Sequence, residues 1–520
     1  MRLTKTGLYT IYLLSFVFLI SGTILFDSCN NKPKSPGDDF KAIGNTIEDG
    51  KRLVQIYCTK CHAEVPANAL TKEVWTIHTL PAMAHYLKVS TYGTAFYKNP
   101  TDTGGISLEN LQILKDYFQK VAPDSLPVAA PPTPLLNDWA GFSLLKPNPL
   151  DKVSYSTMIA VDQSTQKIYS SDLTNSKLYE WDRNLKMRTV AQLPSPGVDA
   201  IFTKNEKGAD TALVTCVGEF LKMDFPNGKL VTVNLGDKNE ITVPGVVASE
   251  VFRPVQTVQG DFNKDGRTDL VVCAQGNKSG RVLLLTQKAD HTYDQNTIIK
   301  KTGAVEARVG DFNNDGWPDV MVLFGSGDEG LWLFLNDQKG GFTKKDLLHF
   351  PPVYGSTSFQ LVDMNHDGKL DLIYTCGYNF NDSRIFKPYH GLYIFLNEGD
   401  WKFKQSYFYP INGCTKAIAT DFDGDGDIDI ATTAFFADLR RKPNEGFIYF
   451  EQDKAMNFKP HAIPVNKYGR WMGIDTISKA NGRPDIVLGN YAKGFMIDSK
   501  IKPFWDINLP LIVLENHNKK

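Results

Sequence analysis

The sequence predicts a multidomain protein in which a small all-α domain is followed by an all-β seven-bladed propeller. Three observations support this prediction. Helical patterns surround a Cys-x-x-Cys-His motif in residues 44–125, a Pro-rich run follows them, and an acidic loop occurs four times farther along the 520-residue chain. Repeated units of about 50 residues, each with several short strands, are typical of propeller blades.

The N-terminal part of the chain is expected to attach the protein to a membrane. Basic residues precede an apolar run from Leu8 to Phe26, so residues 1–28 form a predicted signal segment, and an uncleaved anchor is the alternative. A serine and Cys29 follow this run and resemble a bacterial lipoprotein processing site, which implies lipidation of Cys29. Residues 29–43 form a predicted flexible tether. The expected location is extracytoplasmic and membrane-anchored, facing the periplasm or at the cell surface.

Cys58, Cys61 and His62 form the attachment motif for c-type haem. Two cysteines separated by two residues can bond both vinyl groups of one porphyrin, and the adjacent histidine then faces the iron from the same side. A zinc ribbon would need a second Cys-x-x-Cys pair, and a thioredoxin-like pair would need a βαβ setting. Helical patterns lie before the motif and after Ser107, which is a good helix cap. In this order of elements, residues 44–125 resemble a small class I cytochrome c domain.

The resemblance to cytochromes c implies a second iron ligand in the same domain. In many cytochromes c the second ligand is a methionine, and Met83 lies in a segment similar to the one that carries it. A methionine ligand raises the reduction potential of the haem. His78 and His85 are alternatives, since neutral imidazole also binds haem iron. The haem would pass single electrons to a redox partner protein. The net charge of −1 does not favour nucleic acid, and no nucleic-acid partner is expected.

The rest of the chain is predicted to be a stiff Pro-rich linker, residues 126–140, and the propeller, residues 141–520. Four acidic loops start 50, 52 and 58 residues apart, at Asp261, Asp311, Asp363 and Asp421. Three weaker copies bring the count to seven, and a strand near Phe142–Leu145 is expected to close the ring. Four scattered cysteines are expected to be small buried side chains: Cys216, Cys273, Cys376 and Cys414.

The four loops resemble the calcium-binding FG-GAP (integrin-α-like) repeats, also called VCBS repeats. Oxygen ligands at positions 1, 3, 5 and 9, with glycine at position 6, are like the first part of a Ca²⁺ loop. The resemblance implies that calcium binds to Asp261, Asn263, Asp265, Asp269, Asp311, Asn313, Asp315, Asp319, Asp363, Asn365, Asp367, Asp371, Asp421, Asp423, Asp425 and Asp429. The alternative is a hairpin turn in which these side chains cap backbone groups without a metal. The three weaker copies lack the ligand set, and no ion is expected there.

Residues at the starts of the predicted inner strands suggest a basic, aromatic-edged funnel at one mouth of the channel. Such a funnel would bind a sugar acid or another anionic ligand. The alternative, which the sequence favours, is that these are ordinary solvated loop residues. They are Arg253, Arg308, Lys416, Arg470 and Trp471.

The combination of features resembles a group of Bacteroidota-type membrane-tethered proteins with an N-terminal cytochrome c domain and FG-GAP repeats. The resemblance supports the identity of the domains and their location. For the function, the first hypothesis is an electron-transfer and binding protein with a carbohydrate or protein ligand on the propeller. The alternative is a haem-dependent oxidoreductase that oxidises a sugar-like substrate in the channel. That enzyme would need a catalytic base or a further redox cofactor, which the sequence does not indicate, so the binding hypothesis is preferred.

Overall fold

A computed structural model describes residues 39–92, 95–98, 105–205, 207–236, 241–379, 385–454, 456–480, 482–496 and 498–518. The predicted signal segment, Cys29 and most of the predicted tether lie outside these residues. No helix among the described residues is both long and apolar enough to cross a membrane. The chain divides into two compact units, Met1–Lys60 with Pro66–Ser125 and Cys61–Val65 with Leu126–Lys520.

The first unit is mostly helical. Its elements are α1 (Thr46–Tyr57), a 3-10 turn (Ala67–Ala69), a π-helical turn (Val74–Thr79), α2 (Leu80–Met83), the hairpin strands β1 (Ser90–Tyr92) and β2 (Ala95–Tyr97), and α3 (Leu108–Val121). Asn45 accepts the N–H groups of Ile47 and Glu48 and so begins α1. Ser107 accepts the N–H of Asn110 at 3.1 Å, which confirms the predicted cap of α3. The short hairpin is an addition to the predicted all-α domain.

The helices α1 and α3 pack closely because a glycine faces an aromatic ring. A Cβ atom at Gly50 would lie 2.2 Å from Cβ of Tyr117, so a larger residue would force the helices apart. The neighbouring Phe118 stacks on Trp75 at a ring-centroid distance of 3.8 Å. Trp75 also donates its indole N–H to the carbonyl of Ala67 at 2.8 Å. One apolar core therefore joins α1, the π-helical turn and α3.

The second unit contains seven four-stranded antiparallel sheets, which confirms the predicted seven-bladed all-β propeller. Each sheet is one blade, and the blades are numbered I to VII from the first strand of blade I. The strands are β3 (Phe142–Leu145), β4 (Ser156–Asp162), β5 (Lys167–Asp172), β6 (Lys177–Trp181), β7 (Met187–Gln192), β8 (Gly197–Lys204), β9 (Asp210–Cys216), β10 (Gly228–Asn234), β11 (Gly245–Val251), β12 (Pro254–Gly260), β13 (Asp269–Ala274), β14 (Arg281–Gln287), β15 (Tyr293–Ile299), β16 (Ala304–Gly310), β17 (Asp319–Phe324), β18 (Glu329–Asn336), β19 (Phe342–Phe350), β20 (Ser356–Val362), β21 (Asp371–Cys376), β22 (Gly391–Asn397), β23 (Phe403–Pro410), β24 (Lys416–Thr420), β25 (Asp429–Thr433), β26 (Phe447–Lys454), β27 (Asn457–Ala462), β28 (Trp471–Ile477), β29 (Asp485–Asn490) and β30 (Leu511–Asn516).

Blade I is β4–β7, and the following blades each take the next four strands as far as blade VI, β24–β27. Blade VII is β28, β29 and β30, completed by β3 from the start of the propeller. Phe142 pairs with Asn516, and Leu145 pairs with Val513. The predicted closing strand is therefore confirmed, and the ring is closed by hydrogen bonds between the two ends of the propeller chain.

The first strand of each blade is the inner one, and polar side chains join these strands to each other. Asp199 of blade II accepts the N–H of Thr257 in blade III at 3.0 Å. In the same way, Glu306 of blade IV accepts the N–H of Phe359 in blade V at 2.8 Å. Asp475 of blade VII accepts the N–H of Val161 in blade I at 2.7 Å. The inner strands thus bind one another directly. The apolar side chains and the four scattered cysteines are buried in and between the blades, as predicted for the cysteines.

The end of the predicted linker lies along the outer edge of blade VI. The N–H of Leu136 donates to the carbonyl of Pro460 at 2.9 Å, and the N–H of Ala462 donates to the carbonyl of Leu136 at 2.8 Å. Nδ1 of His461, a buried residue, is 2.8 Å from a carboxylate oxygen of Asp138. This segment adds a short parallel bridge to β27 and covers part of its free edge.

Candidate metal and cofactor sites

The four acidic loops connect the first and second strands of blades III, IV, V and VI. The aspartate at position 9 begins the second strand, and in all four loops it is 0% exposed. Each of these carboxylates accepts two backbone N–H groups, one from position 2 of its own loop and one from the third strand. The donors are Phe262 and Gln287 to Asp269, Phe312 and Asn336 to Asp319, Met364 and Asn397 to Asp371, and Phe422 and Gln452 to Asp429.

Burial raises the pKa of all four position-9 carboxyls, that of Asp429 to about 7. A buried carboxylate is costly unless hydrogen bonds and a cation compensate its charge. The hydrogen bonds are present in each loop. A bound cation would supply the remaining compensation and lower these pKa values.

In the loops of blades III to V, the side-chain oxygens at positions 1 and 3 lie close to each other. The N–H of Asp265 donates to Oδ1 of both Asp261 and Asn263, at 3.1 Å each, so these two oxygens lie close together. The loops of blades IV and V repeat this contact. Gly266 adopts a φ of 82° and donates its N–H to Oδ2 of Asp261. The same positive φ recurs at the equivalent glycines of those loops, where a larger residue would be strained.

The loop of blade VI has the tightest group of acids. Carboxylate oxygens of Asp421, Asp423 and Asp429 lie within 4.8 Å of one another, and these three are the acids among the described residues that group closely enough to hold a metal ion. An all-oxygen donor set suits Ca²⁺, which takes carboxylate and carbonyl oxygens in flexible geometry. The residues present therefore fit calcium, and their geometry is most complete in this loop.

Neighbouring loops also contact each other, which sequence reasoning missed. Nζ of Lys264, at position 4 in blade III, lies 4.4 Å from the ring centroid of Trp317, at position 7 in blade IV. His366 is at position 4 in blade V, and Asp427 is at position 7 in blade VI. Nε2 of His366 lies 3.4 Å from Oδ1 of Asp427. Position 7 varies between loops, and at these two joints its side chain contacts the preceding loop.

The haem motif starts where α1 ends. The N–H of Cys58 donates to the carbonyl of Val54 at 2.8 Å as the helix terminates. None of the described cysteines is in a disulfide, and Cys61 is exposed. Nδ1 of His62 is 2.8 Å from the carbonyl oxygen of Ala63. If Nδ1 carries the proton, the lone pair of Nε2 is available for a metal, as in metal-binding histidines generally. Two thiols and an imidazole in this state fit a c-type haem.

The three candidates for the second iron ligand lie on one short segment. His78 is half-buried in the π-helical turn, a type of turn that is frequent at functional sites. Met83 is half-buried at the end of α2, where its carbonyl accepts the N–H groups of Tyr86 and Leu87. His85 is exposed, and its ring lies edge-on to Tyr86. The choice of Met83 stays a prediction.

Three of the five residues proposed for a basic funnel do not form one. Arg470 and Trp471 are only 3% and 2% exposed, so they are neither funnel residues nor solvated loop residues. Arg470 stacks on Phe435 at 3.8 Å and donates to three backbone carbonyls. Arg253 similarly stacks on Phe220 and donates to its carbonyl. These arginines hold loops in place, so their donors are already used.

Aromatic residues occupy the end of the propeller where the funnel was expected. They come from blades II, V, VI and VII and from the approach to blade I, and Phe220 of blade II packs near Tyr491 and Phe495 of blade VII. Loops of blades II and VII, which flank blade I, therefore meet at this end. The cluster consists of Tyr155, Leu173, Phe220, Tyr378, Phe435, Phe436, Met472, Tyr491 and Phe495.

The second unit is a seven-bladed β-propeller in which four blades carry an acidic loop. A protein-family model described as FG-GAP-like repeat matches residues 261–322 and 311–374, which include the loops of blades III, IV and V. No protein with a curated description matches the sequence.

Several solved structures are similar to the propeller part of the chain. Virginiamycin B lyase from Staphylococcus aureus is 12% identical, with a TM-score of 0.44, over 72% of this chain and 98% of that one. A streptogramin B lyase is 13% identical, with a TM-score of 0.43 and the same coverage. The WD40 propeller domain of Doa1 is 11% identical, with a TM-score of 0.42, over 72% of this chain and 97% of that one.

Proposed function

We propose that this protein is an extracytoplasmic, membrane-tethered binding protein whose calcium-loaded propeller is joined to a c-type haem domain that transfers single electrons. The FG-GAP propeller fold supports the binding role. The observation that carries the calcium proposal is the buried aspartate at position 9 of four loops, beside converging oxygen ligands. The Cys58–His62 motif and the contact of Nδ1 of His62 with the carbonyl of Ala63 support the haem proposal. Lipidation of Cys29 would provide the tether.

In this proposal the haem supplies one-electron chemistry, and the chain's own residues hold it. Cys58 and Cys61 would bind it covalently, and Nε2 of His62 and the sulfur of Met83 would bind its iron. The electrons would go to a redox partner protein, and the propeller would bind a carbohydrate or protein ligand.

Covalent haem is tested by expressing the full chain with a haem c assembly system and recording the spectrum of the denatured protein in pyridine. We expect the spectrum of a haem with two thioether bonds. The double variant C58A/C61A should lose covalent haem, whereas K60A, at an exposed position inside the motif, should keep it. Haem that stays attached in the double variant would contradict the proposal.

The second ligand is tested through the reduction potential. Because methionine raises the potential relative to histidine, M83H should lower it, and H78A and H85A should leave it unchanged. A raised potential in H78A or H85A, together with an unchanged potential in M83H, would instead identify that histidine as the ligand. In the same preparation, reduction of the haem by a sugar or alcohol alone would support the oxidoreductase alternative and overturn the binding proposal.

Calcium binding is tested by calorimetric titration of the full chain after chelation. We expect binding in the propeller, weakened by D425N and unchanged by D400N, an exposed aspartate outside the loops. Chelation should lower the melting temperature of the propeller and leave the haem spectrum intact. Identical melting curves with and without calcium would contradict a structural role for the ion.

A further inference from the structure

Blade VII has a position-9 aspartate like those of the acidic loops, but it has a lysine beside it. Asp485 begins β29, and it accepts the N–H of Asn516 at the end of β30 at 2.7 Å. Asp319 accepts the N–H of Asn336 at the end of β18 in the same way, at 2.8 Å. The carboxylate of blade VII therefore occupies the same place in its blade as the proposed calcium ligands of blades III to VI.

The ammonium group of Lys479 lies against this carboxylate. Nζ of Lys479 is 2.8 Å from Oδ1 of Asp485 and also donates to the carbonyl of Asn516 at 3.0 Å. The side chains of Lys479 and Asp485 are 29% and 14% exposed, so the pair is partly shielded from water. A positive charge bound to one carboxylate and one carbonyl oxygen makes the kind of contacts that a bound Ca²⁺ would make.

We infer that Lys479 is a built-in cation that takes the place of calcium in blade VII. The inference rests on the proposed calcium role in blades III to VI. It explains how blade VII compensates the negative charge of Asp485 although its loop lacks the other acidic residues of blades III to VI. Blade II shows a more exposed version of the same substitution, since Nζ of Lys204 is 2.6 Å from Oδ1 of Asp210 at the start of β9.

The position of Lys479 gives the substitution a consequence for the whole ring. Its carbonyl partner, Asn516, ends β30, and β30 pairs with the closing strand β3. The side-chain amide of Asn516 also donates to the carbonyl of Phe422, in the acidic loop of blade VI, at 2.7 Å. Lys479 thus stabilises the blade in which the two ends of the propeller meet, and this positive charge stays in place when calcium is removed.

Hydrogen exchange of the full chain, followed by mass spectrometry in calcium and in chelator, tests this inference. Chelation should speed exchange in strands of blades III to VI, such as β17 and β25, and leave β29 and β30 unchanged. K479Q should speed exchange in β29 and β30 about tenfold in both conditions, because an uncompensated carboxylate remains. K479R, which keeps the positive charge, should restore slow exchange. K493Q, at a half-buried lysine of the same blade outside this pair, is the matched control.

Two results would overturn the inference. One is wild-type exchange of β29 and β30 in K479Q, and the other is equal acceleration of blade VII and blades III to VI by chelation of the wild-type protein. Failure of the proposed calcium role gives a different result, namely no calcium binding in the calorimetric titration together with no effect of chelator on any blade.

Discussion

At position 9 of each acidic loop, one carboxylate connects three parts of a blade. In blade IV, Asp319 begins the second strand, accepts the N–H of Phe312 within the loop, and accepts the N–H of Asn336 at the end of the third strand. The hydrogen bonds alone fix the turn, so the same aspartate would be useful with or without a metal. Burial raises the pKa of the Asp319 carboxyl, and a bound cation would act in the opposite direction.

A half-buried acid on the inner strand of blade II predicts a pH dependence of stability. Burial raises the pKa of Asp199 to about 6, although Lys416 acts in the opposite direction. The unfolded value is near 3.9, so the folded state binds the proton more tightly. The contribution of this group to stability is therefore complete below about pH 4 and is lost as the pH rises through about 6.

The variant D199N should remove this dependence. An asparagine cannot ionise, and its Oδ1 can still accept the N–H of Thr257. We expect the free energy of unfolding of D199N to exceed that of the wild type by about 1–2 kcal/mol near pH 7.5 and not to exceed it near pH 4. Denaturant titrations at the two pH values measure this, with D400N as the exposed control. A variant less stable than the wild type near pH 7.5 would show that the ionised carboxylate is favourable.

Among the helices and strands, the sequence predicted those features that depend on residues close together in the chain. Ser107 was predicted to cap α3 because a cap and its target N–H lie three residues apart. The contact of Leu136 with β27 joins residues more than 300 positions apart, and nothing in the Pro-rich run indicates its partner. The contacts between Lys264 and Trp317 also cross from one blade to the next, so the sequence of a single loop does not reveal them.

The bridge between Leu136 and β27 can be tested through its backbone. L136P removes the N–H that donates to Pro460 and should lower the free energy of unfolding by about 1 kcal/mol more than L136A, which keeps this N–H. Hydrogen exchange in Asn457–Ala462 should be faster in L136P than in L136A. Equal exchange in the two variants would mean that the segment is held by its side chains alone.

For the whole molecule, the repeat determined most of what could be predicted. Four acidic loops at intervals near 50 residues, together with three weaker copies, predicted the seven blades, and the shortage of strands in the last unit predicted the closing strand near Phe142. The chemistry between repeats could not be predicted, because it depends on which loop ends meet in the ring. The aromatic cluster around Phe220 and the ion pair of Lys479 are of this kind. The funnel hypothesis, which the sequence did not favour, fails at Arg253 and Arg470 for the same reason, since these arginines donate to carbonyls of distant loops.

Ring closure is the property of the whole molecule that one substitution can test. Leu144 lies in the closing strand, pairs with Leu514, and packs against the core between blades VI and VII. L144D places a charge in this partly buried position and should lower the free energy of unfolding by about 2–4 kcal/mol. It should also speed exchange in β30, because the outer partner of that strand is lost. V128D puts the same charge on a residue that is 83% exposed and should change neither quantity. If L144D melted like the wild type, the propeller would not depend on β3 for closure, and the hydrogen bonds between neighbouring inner strands would be sufficient to hold the ring.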